Sequence, residues 1–351
     1  MSVAHNIYIH VPFCISKCNY CAFFSRACAA PDWLAYTNGI LREIEFWASK
    51  LGKISVPTIF FGGGTPSLIP TNCFAQIMAQ LRTQFNIAPD AEITLESNPG
   101  TLETARLNEF IENGVNRLSI GVQSLNDDEL VFLGRRHNVA DALRLIDVAQ
   151  SRNIRVSADF IYGLPGHNAK TVEKLCHDIN KIGLNHCSMY ELTIEPNTPF
   201  GKMNLSMPTN DEMADMYIAI ENTIALPRYE VSNYAKHGYE CRHNQNVWDG
   251  ASYIGIGIGA AGRIFFNDTW YEQLGDYAKF DPMSADTRAT EKIITGMRTM
   301  RGVLLANDIK NVLDMEYANT HPELVTISDG RMRATKHGLM FLDELVANLV
   351  K

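Results

Sequence analysis

The alternation of short β-rich runs with amphipathic helical segments is the feature that most constrains the fold of this chain. Helical segments with apolar residues at three- and four-residue steps separate the runs. The predicted strands are 7–11, 58–63, 92–97, 117–123, 155–163 and 186–193. Because this alternation produces parallel strands with right-handed crossovers, we predict an α/β fold, a partial (β/α)6 barrel over residues 1–200.

The pattern changes after the predicted barrel. Residues 201–285 contain one helical segment and then strand-and-turn material, and we interpret them as a connecting region. Residues 286–351 follow the order helix, helix, strand pair, helix, and Asp329–Gly330 marks the hairpin turn. This order predicts a C-terminal α+β domain that is winged-helix-like.

Composition excludes several classes of protein. A hydrophobic content of 46% and a charged content of 20% are typical of a globular protein with a large core. The net charge of −8 argues against nucleic-acid binding, which needs clustered Lys and Arg. We find no export signal and no apolar run long enough to span a membrane, so we expect a cytoplasmic protein.

Three of the eight cysteines form a tight group at Cys14, Cys18 and Cys21. This C-x3-C-x2-C spacing can bind three irons of a [4Fe–4S] cluster and leaves the fourth iron open. A zinc site is one alternative, with His10 or Cys28 as the fourth ligand. Simple packing of free thiols is the other.

Polar and glycine-rich residues follow the predicted strands, where a barrel of this type carries its site. "GGGTP" at 62–66 follows the second strand, and Glu96 ends the third. Gln123 ends the fourth strand, and Asp159 lies late in the fifth. We therefore expect these residues to meet at one edge of the barrel.

These motifs together resemble those of the radical S-adenosylmethionine (SAM) superfamily. "CISKCNYC" is similar to its cysteine loop, and "GGGTP" is similar to the stretch that holds the methionine amino group. The resemblance covers about residues 7–195 and implies a partial barrel. It implies that Cys14, Cys18 and Cys21 hold a [4Fe–4S] cluster, and that SAM chelates the open iron and is cleaved there to a 5′-deoxyadenosyl radical.

A narrower resemblance covers nearly the whole chain. "YIHVPFC", "FFGGGTPSL", "ESNPG", "LSIGVQS", "DFIYGLPG" and "YELTIEPNTPF" are similar to the oxygen-independent coproporphyrinogen III oxidase group. Within that group the chain most resembles the shorter heme chaperone (HemW) branch. The resemblance implies a set of SAM and cluster contacts: Tyr8, Gly63, Gly64, Thr65, Glu96, Gln123, Arg135 and Asp159.

A second candidate site lies in "CRHNQNVW", residues 241–248. It resembles the H-N-x-x-Y-W pattern proposed to hold heme in the chaperone branch, with Val247 in place of the tyrosine. The resemblance implies that His243 contacts heme; the alternative is a structural histidine with satisfied hydrogen bonds. Cys241 is a candidate second ligand. The remaining thiols, Cys28, Cys73, Cys176 and Cys187, are interpreted as packing residues.

Two differences favour the chaperone branch over the oxidase. The oxidase has a fourth cysteine two residues beyond the third, where this chain has Phe23, and it has an extension before the cluster, whereas Cys14 lies near the start here. The resemblance then implies a protein without coproporphyrinogen oxidase activity that passes heme to an acceptor, such as a respiratory heme protein, with peripheral membrane contact through that acceptor. The alternatives are the oxidase itself and a zinc-stabilised interaction protein.

Overall fold

The computed structural model describes residues 3–100, 102 and 104–351. Met1 and Ser2, with which the predicted first domain begins, lie outside the described residues. The strands are β1 (His5–Val11), β2 (Phe13–Cys14), β3 (Arg26–Ala27), β4 (Ser55–Gly63), β5 (Asn86–Ser97), β6 (Arg117–Gln123), β7 (Arg155–Tyr162), β8 (His186–Glu191), β9 (Asn233–Ala235), β10 (Ser252–Ile256), β11 (Ala261–Phe266), β12 (Thr269–Leu274), β13 (Phe280–Pro282), β14 (Val303–Leu304), β15 (Val325–Ser328) and β16 (Arg331–Ala334).

The helices separate the strands in the order that the periodicity predicts. They are α1 (Trp33–Leu51), α2 (Thr71–Gln84), α3 (Thr104–Glu112), α4 (Asp127–Phe132), α5 (Val139–Ser151), α6 (Ala169–Ile182), α7 (Asn210–Thr223), α8 (Arg242–Trp248), α9 (Ala285–Gly296), α10 (Asn307–Val312), α11 (Met315–Thr320), α12 (Lys336–Met340) and α13 (Leu342–Leu349). α6 shows which local features of the sequence form these helices. Asn168 closes a capping box at its start, and Val172, Cys176 and Ile179 form its buried face.

Six parallel strands form the predicted partial barrel, in the spatial order β1-β4-β5-β6-β7-β8. The α/β fold class is therefore confirmed. Alternate residues of each strand face opposite sides of the sheet. On β6, Leu118 and Ile120 pack into the core under the helices, whereas Arg117 and Ser119 face the barrel interior.

The sheet continues beyond the six strands on both sides. β9 pairs antiparallel with β8, and β10 pairs parallel with β1, followed by β11, β12 and β13. The result is a mixed sheet of eleven strands among the described residues. Strand material that the sequence presents as a connecting region thus lies beside the first strand of the barrel.

The C-terminal unit has its own hydrophobic cluster, formed by residues between Ala289 and Leu349. Its hairpin pairs β15 with β16 through Asp329 and Gly330, which both have positive φ (52° and 68°), as the predicted turn requires. β14 completes a three-stranded sheet. The helices and the hairpin follow one another in the predicted order.

In the part of the chain that the structure describes, no helix is both long and apolar enough to cross a membrane.

Candidate functional site

A cavity of about 400 Å³ opens at the carboxyl ends of the parallel strands. Its walls bring together ten residues that the sequence analysis names: Cys14, Cys18, Cys21, Gly63, Gly64, Thr65, Glu96, Gln123, Arg135 and Asp159. They come from six different strands and loops, and they meet because parallel strands end at the same edge of the sheet.

The cysteine loop forms one wall of this cavity. Cys14 is buried in β2 and its carbonyl accepts a 2.9 Å hydrogen bond from the Cys28 amide, which fixes the loop ends. Burial raises the pKa of the Cys14 thiol, while hydrogen bonds to Thr65 and Ser25 favour its thiolate. Among the described residues no three His, Cys, Asp or Glu side chains converge on a single-ion position. A cubane cluster does not need such convergence, because each thiolate binds a different iron.

The zinc alternative needs a fourth ligand, and neither candidate is positioned to supply it. The Nε2 of His10 lies 2.7 Å from the Phe24 carbonyl oxygen, and its Nδ1 lies 2.9 Å from the Tyr8 hydroxyl. Both ring nitrogens are therefore engaged. Cys28 is half-buried and is not part of the cavity wall. The donor set that faces the cavity is three thiols, which fits a cluster with one open iron.

The glycine loop packs directly against the cysteine loop. A Cβ on Gly64 would lie 2.6 Å from the Phe13 carbonyl oxygen and 3.0 Å from the Cys14 sulfur. Gly63 has φ of +115°, and a Cβ there would lie 2.6 Å from the His10 ring. The backbone can approach the cysteines and a ligand this closely only without side chains.

A chain of polar contacts ties the two loops together. Arg135 donates from Nη1 to the Cys18 sulfur (3.3 Å) and from Nη2 to Asn98 and to the Gly121 carbonyl (2.7 Å). Asn98 in turn donates to Thr65 Oγ1 (3.0 Å). A guanidinium beside a thiolate stabilises its negative charge. Arg135 thus supports the cysteine loop as well as facing the cavity.

Sequence reasoning missed two residues of this cavity as individuals. Asn98 stands within the quoted "ESNPG" but was not singled out, and Tyr20 lies between two of the cysteines. Both residues line the cavity. The sequence signal that could have identified them is their position inside two motifs, "ESNPG" for Asn98 and "CISKCNYC" for Tyr20.

Gln123 has a φ of +72°, which is unusual for a residue other than glycine. The register between β6 and β7 shifts between Gly121 and Gln123, so a bulge re-aims the glutamine into the cavity. A Cβ on Gly121 would lie 2.6 Å from the Gln123 amide nitrogen and 2.9 Å from Asn98 Oδ1. Glycine at 121 therefore leaves room for both amides.

Two carboxyl groups face the cavity in different environments. Burial and the neighbouring Asp159 raise the pKa of Glu96 to about 8, although the Gly63 amide donates to Glu96 Oε2 at 3.0 Å. Burial also raises the pKa of Asp159. Its oxygens accept from Ser188 (2.7 Å) and Ser119 (3.1 Å). A cation that enters here, such as an ammonium or sulfonium group, would meet carboxyls positioned to neutralise it.

The raised pKa of Glu96 predicts a pH-dependent stability for the ligand-free protein. Below the ordinary glutamate pKa of 4.5, the side chain of Glu96 is protonated in both the folded and the unfolded protein. As the pH rises from there towards 8, the unfolded chain loses this proton whereas the folded protein keeps it. The free energy of unfolding of wild type should therefore fall over this range relative to Glu96→Gln. Urea denaturation at pH 5 and pH 8 measures the difference. The exposed Glu112→Gln serves as control. An equal difference between Glu96→Gln and wild type at both pH values would contradict this prediction.

A second cavity of about 370 Å³ adjoins the first inside the barrel. The two share Glu96, Ser119, Asp159 and Tyr190 in their walls. The remaining two predicted residues, Tyr8 and His243, line this second cavity. The ring of Tyr8 stacks on Phe60 (centroids 6.2 Å apart), and Phe60 also contacts the His243 ring (5.1 Å).

A hydrogen-bond chain fixes the tautomer of His243. Asn6 Nδ2 donates to the Ser252 carbonyl (3.0 Å), so Asn6 Oδ1 is the acceptor for the Thr58 hydroxyl proton (2.8 Å). The Thr58 oxygen, 2.8 Å from His243 Nδ1, must then accept the Nδ1–H. Burial lowers the pKa of His243 to about 4, so the ring is neutral and the lone pair is on Nε2.

The structure places Cys241 elsewhere than the sequence analysis suggested. Its buried thiol lies 3.7 Å from Glu92 Oε1 and is in neither cavity wall. Burial raises the pKa of this thiol to about 12. It is therefore not positioned as a second heme ligand. Phe23, by contrast, is 69% exposed and lies in the wall of the first cavity beside the cysteine loop.

Comparisons with known proteins agree on one group. Residues 8–179 match the model of the radical SAM superfamily. The heme chaperone HemW of Escherichia coli (strain K12) is 39% identical over 271 residues, which cover 75% of this chain and 71% of that protein. The heme chaperone HemW of Mycobacterium tuberculosis (strain H37Rv) is 30% identical over 370 residues, which cover 98% and 94%.

A solved structure supports the fold. The structure of coproporphyrinogen III oxidase (HemN) from Escherichia coli superimposes on this chain with a TM-score of 0.82. That protein is described as a radical SAM enzyme. The match covers 99% of this chain and 90% of that chain at 18% sequence identity. At this identity the likeness establishes the architecture alone.

Proposed function

This chain belongs to the HemN-like HemW family of radical SAM proteins, and from this premise we propose that it is a heme chaperone, which binds heme and delivers it to an acceptor protein. The observation that carries the proposal is His243, a neutral imidazole that lines the second cavity and whose fixed tautomer leaves the lone pair on Nε2. Such a nitrogen is a suitable axial ligand for heme iron.

Membership of the radical SAM family implies SAM and a [4Fe–4S] cluster. The residues present fit both. Cys14, Cys18 and Cys21 would hold three irons of the cluster, which would leave the fourth iron open to SAM. Gly63, Gly64 and Thr65 would hold the methionine end of SAM through the backbone, and polar side chains of the cavity walls would complete its contacts: Tyr8, Glu96, Gln123, Arg135 and Asp159. When bound there, such a cluster would supply one-electron reduction chemistry to SAM.

The second cavity is the proposed heme site. Aromatic side chains line it: Tyr8, Phe60, Tyr190, Trp248 and Tyr253. Val247, which replaces the tyrosine of the family pattern, lies in the same wall. A phenol is therefore not required at that position for the imidazole of His243 to face the cavity.

The acceptor is a heme protein, and a respiratory one would bring this chain to the membrane surface as a peripheral partner. We place the protein in the cytoplasm, where a reducing environment suits its thiols. All eight cysteines are free.

Heme titration of the reconstituted protein tests the proposal. We expect His243→Ala to weaken heme binding at least tenfold and to shift the Soret band, because the variant removes the axial nitrogen. His5→Ala is the matched control. His5, on β1, is buried like His243, but both of its ring nitrogens lie 2.9 Å from backbone carbonyl oxygens and are therefore engaged. Unchanged binding and an unchanged spectrum in His243→Ala would remove His243 from the heme site.

The second candidate function is the oxygen-independent coproporphyrinogen III oxidase. The observation that favours it is the direct contact between the two cavities, which would bring a tetrapyrrole next to SAM. We expect no protoporphyrinogen when the reconstituted protein is incubated anaerobically with coproporphyrinogen III, SAM and a reductant. Clear turnover in that assay would replace the chaperone proposal with the oxidase.

A further inference from the structure

Arg117 is a buried cation that has no role in the proposed contacts to the cluster, SAM or the heme iron. It opens β6, its exposed fraction is 3%, and it faces the second cavity. Within residues 3–100, 102 and 104–351 its guanidinium has no hydrogen bond and no ion pair. A guanidinium remains charged in proteins, and a buried charge without a partner is costly.

The nearby carboxylates are committed to other groups. Glu92 forms an ion pair with Arg155 (2.8 Å) and accepts the backbone amides of Arg242 (3.2 Å) and His243 (3.0 Å). Asp159 accepts from serine hydroxyls, as described above. Both carboxylates attract Arg117 through the interior, yet neither forms an ion pair with it. The guanidinium thus keeps its hydrogen-bonding capacity for something in the cavity.

The position of Arg117 complements that of His243. The cavity wall contains the neutral imidazole of His243, five aromatic side chains and this one arginine. A flat aromatic molecule with a central metal and peripheral carboxylates would use all three features. An arginine fork matches a carboxylate with two parallel hydrogen bonds.

We propose that Arg117 binds a carboxylate of the cavity's ligand, which on the proposed function is a heme propionate. The inference rests on the heme-binding function, and it adds a residue that selects tetrapyrroles bearing free acid groups. Arg117 acts there as a binding residue, whereas His243 binds the metal.

The test compares each ligand with its ester, so that loss of the carboxylate charge is measured within one protein. Wild type should bind heme about ten- to a hundredfold more tightly than heme dimethyl ester, the range expected for a buried charge-assisted hydrogen bond. In Arg117→Gln the heme affinity should fall to that of the ester, while the affinity for the ester stays unchanged. Arg117→Lys, which keeps the charge without the fork, should restore part of the preference.

Arg155→Gln is the matched control, because Arg155 lies beside Arg117 in the β6–β7 register but is paired with Glu92 and is not in the cavity wall. It should keep the full preference for heme over the ester. A preference that persists in Arg117→Gln, or an equal loss of both ligands there, would overturn the inference.

A metal-free arm separates this inference from the proposed function. Coproporphyrin III and its tetramethyl ester differ, like heme and its dimethyl ester, in whether the carboxylates are free, but neither contains iron. If wild type prefers the free acid and Arg117→Gln does not, the inference stands even where His243→Ala leaves heme binding unchanged. If wild type binds acid and ester equally in both pairs, the inference fails, whatever His243 does.

Discussion

Substitution of Cys14, Cys18 or Cys21 by alanine is expected to remove the iron–sulfur cluster from the protein. Each thiol supplies the ligand of a different iron, and the cavity wall offers no other cysteine to replace it. Iron and sulfide content after anaerobic reconstitution should fall close to zero, together with the broad visible absorption of the cluster. SAM binding should be lost with it, because the open iron is part of the SAM site.

Cys28→Ala is the control for this loss. Cys28 is tied to the same loop because its backbone N–H donates a hydrogen bond to the Cys14 carbonyl, but Cys28 is not part of the cavity wall. It should retain the iron content of wild type. Full iron content in Cys18→Ala, or an equal loss in Cys28→Ala, would contradict the three-thiol assignment.

Gly64→Ala should abolish SAM binding and destabilise the folded protein by about 1–3 kcal/mol, as overpacking commonly does. The new methyl group would lie 2.6 Å from the Phe13 carbonyl oxygen, which is backbone, and 3.0 Å from the Cys14 sulfur. Relief of this contact requires β2 to move away from the glycine loop and to carry Cys14 with it. Equilibrium dialysis with SAM and urea denaturation measure the two effects.

Gly39→Ala provides the comparison for this variant. Gly39 lies within α1, and a Cβ there would find its nearest neighbour 3.9 Å away, at the Arg42 guanidinium. Alanine is favoured over glycine in a helix by about 1 kcal/mol, so this variant should be at least as stable as wild type. It should also bind SAM normally. SAM binding by Gly64→Ala at wild-type affinity would show that the glycine loop does not form the methionine site.

Much of the barrel could be predicted because its signals are local. The strand predicted at 117–123 is found at Arg117–Gln123, and that predicted at 155–163 at Arg155–Tyr162. Periodicity and turn residues act over a few positions, so they can be read from the chain without knowing its neighbours. The Asp329–Gly330 turn succeeded for the same reason.

Helix ends were harder to predict where a local capping signal competed with the helical hydrophobic period. The C-terminal segment 306–319 has a helical pattern throughout, yet the structure ends α10 at Val312 and begins α11 at Met315. Asp314 caps the second helix by accepting the Tyr317 amide at 2.8 Å. Leu313 is drawn into a bridge with Val350 at the other end of the unit. The break therefore depends on a long-range contact as well as on a cap.

The sequence by itself determined the residue types of the site and the strand ends on which they lie, because cysteine spacing, glycine runs and hydrophobic period are written along the chain. Only the tertiary structure decided which of them face one another. β10 lies beside β1, about 250 residues away in sequence, and α8 brings His243 to Thr58. The tautomer of His243, the raised pKa of Glu96 and the unpaired charge of Arg117 all depend on burial and on neighbours from distant segments. These are properties of an enclosed space, and no stretch of sequence contains them.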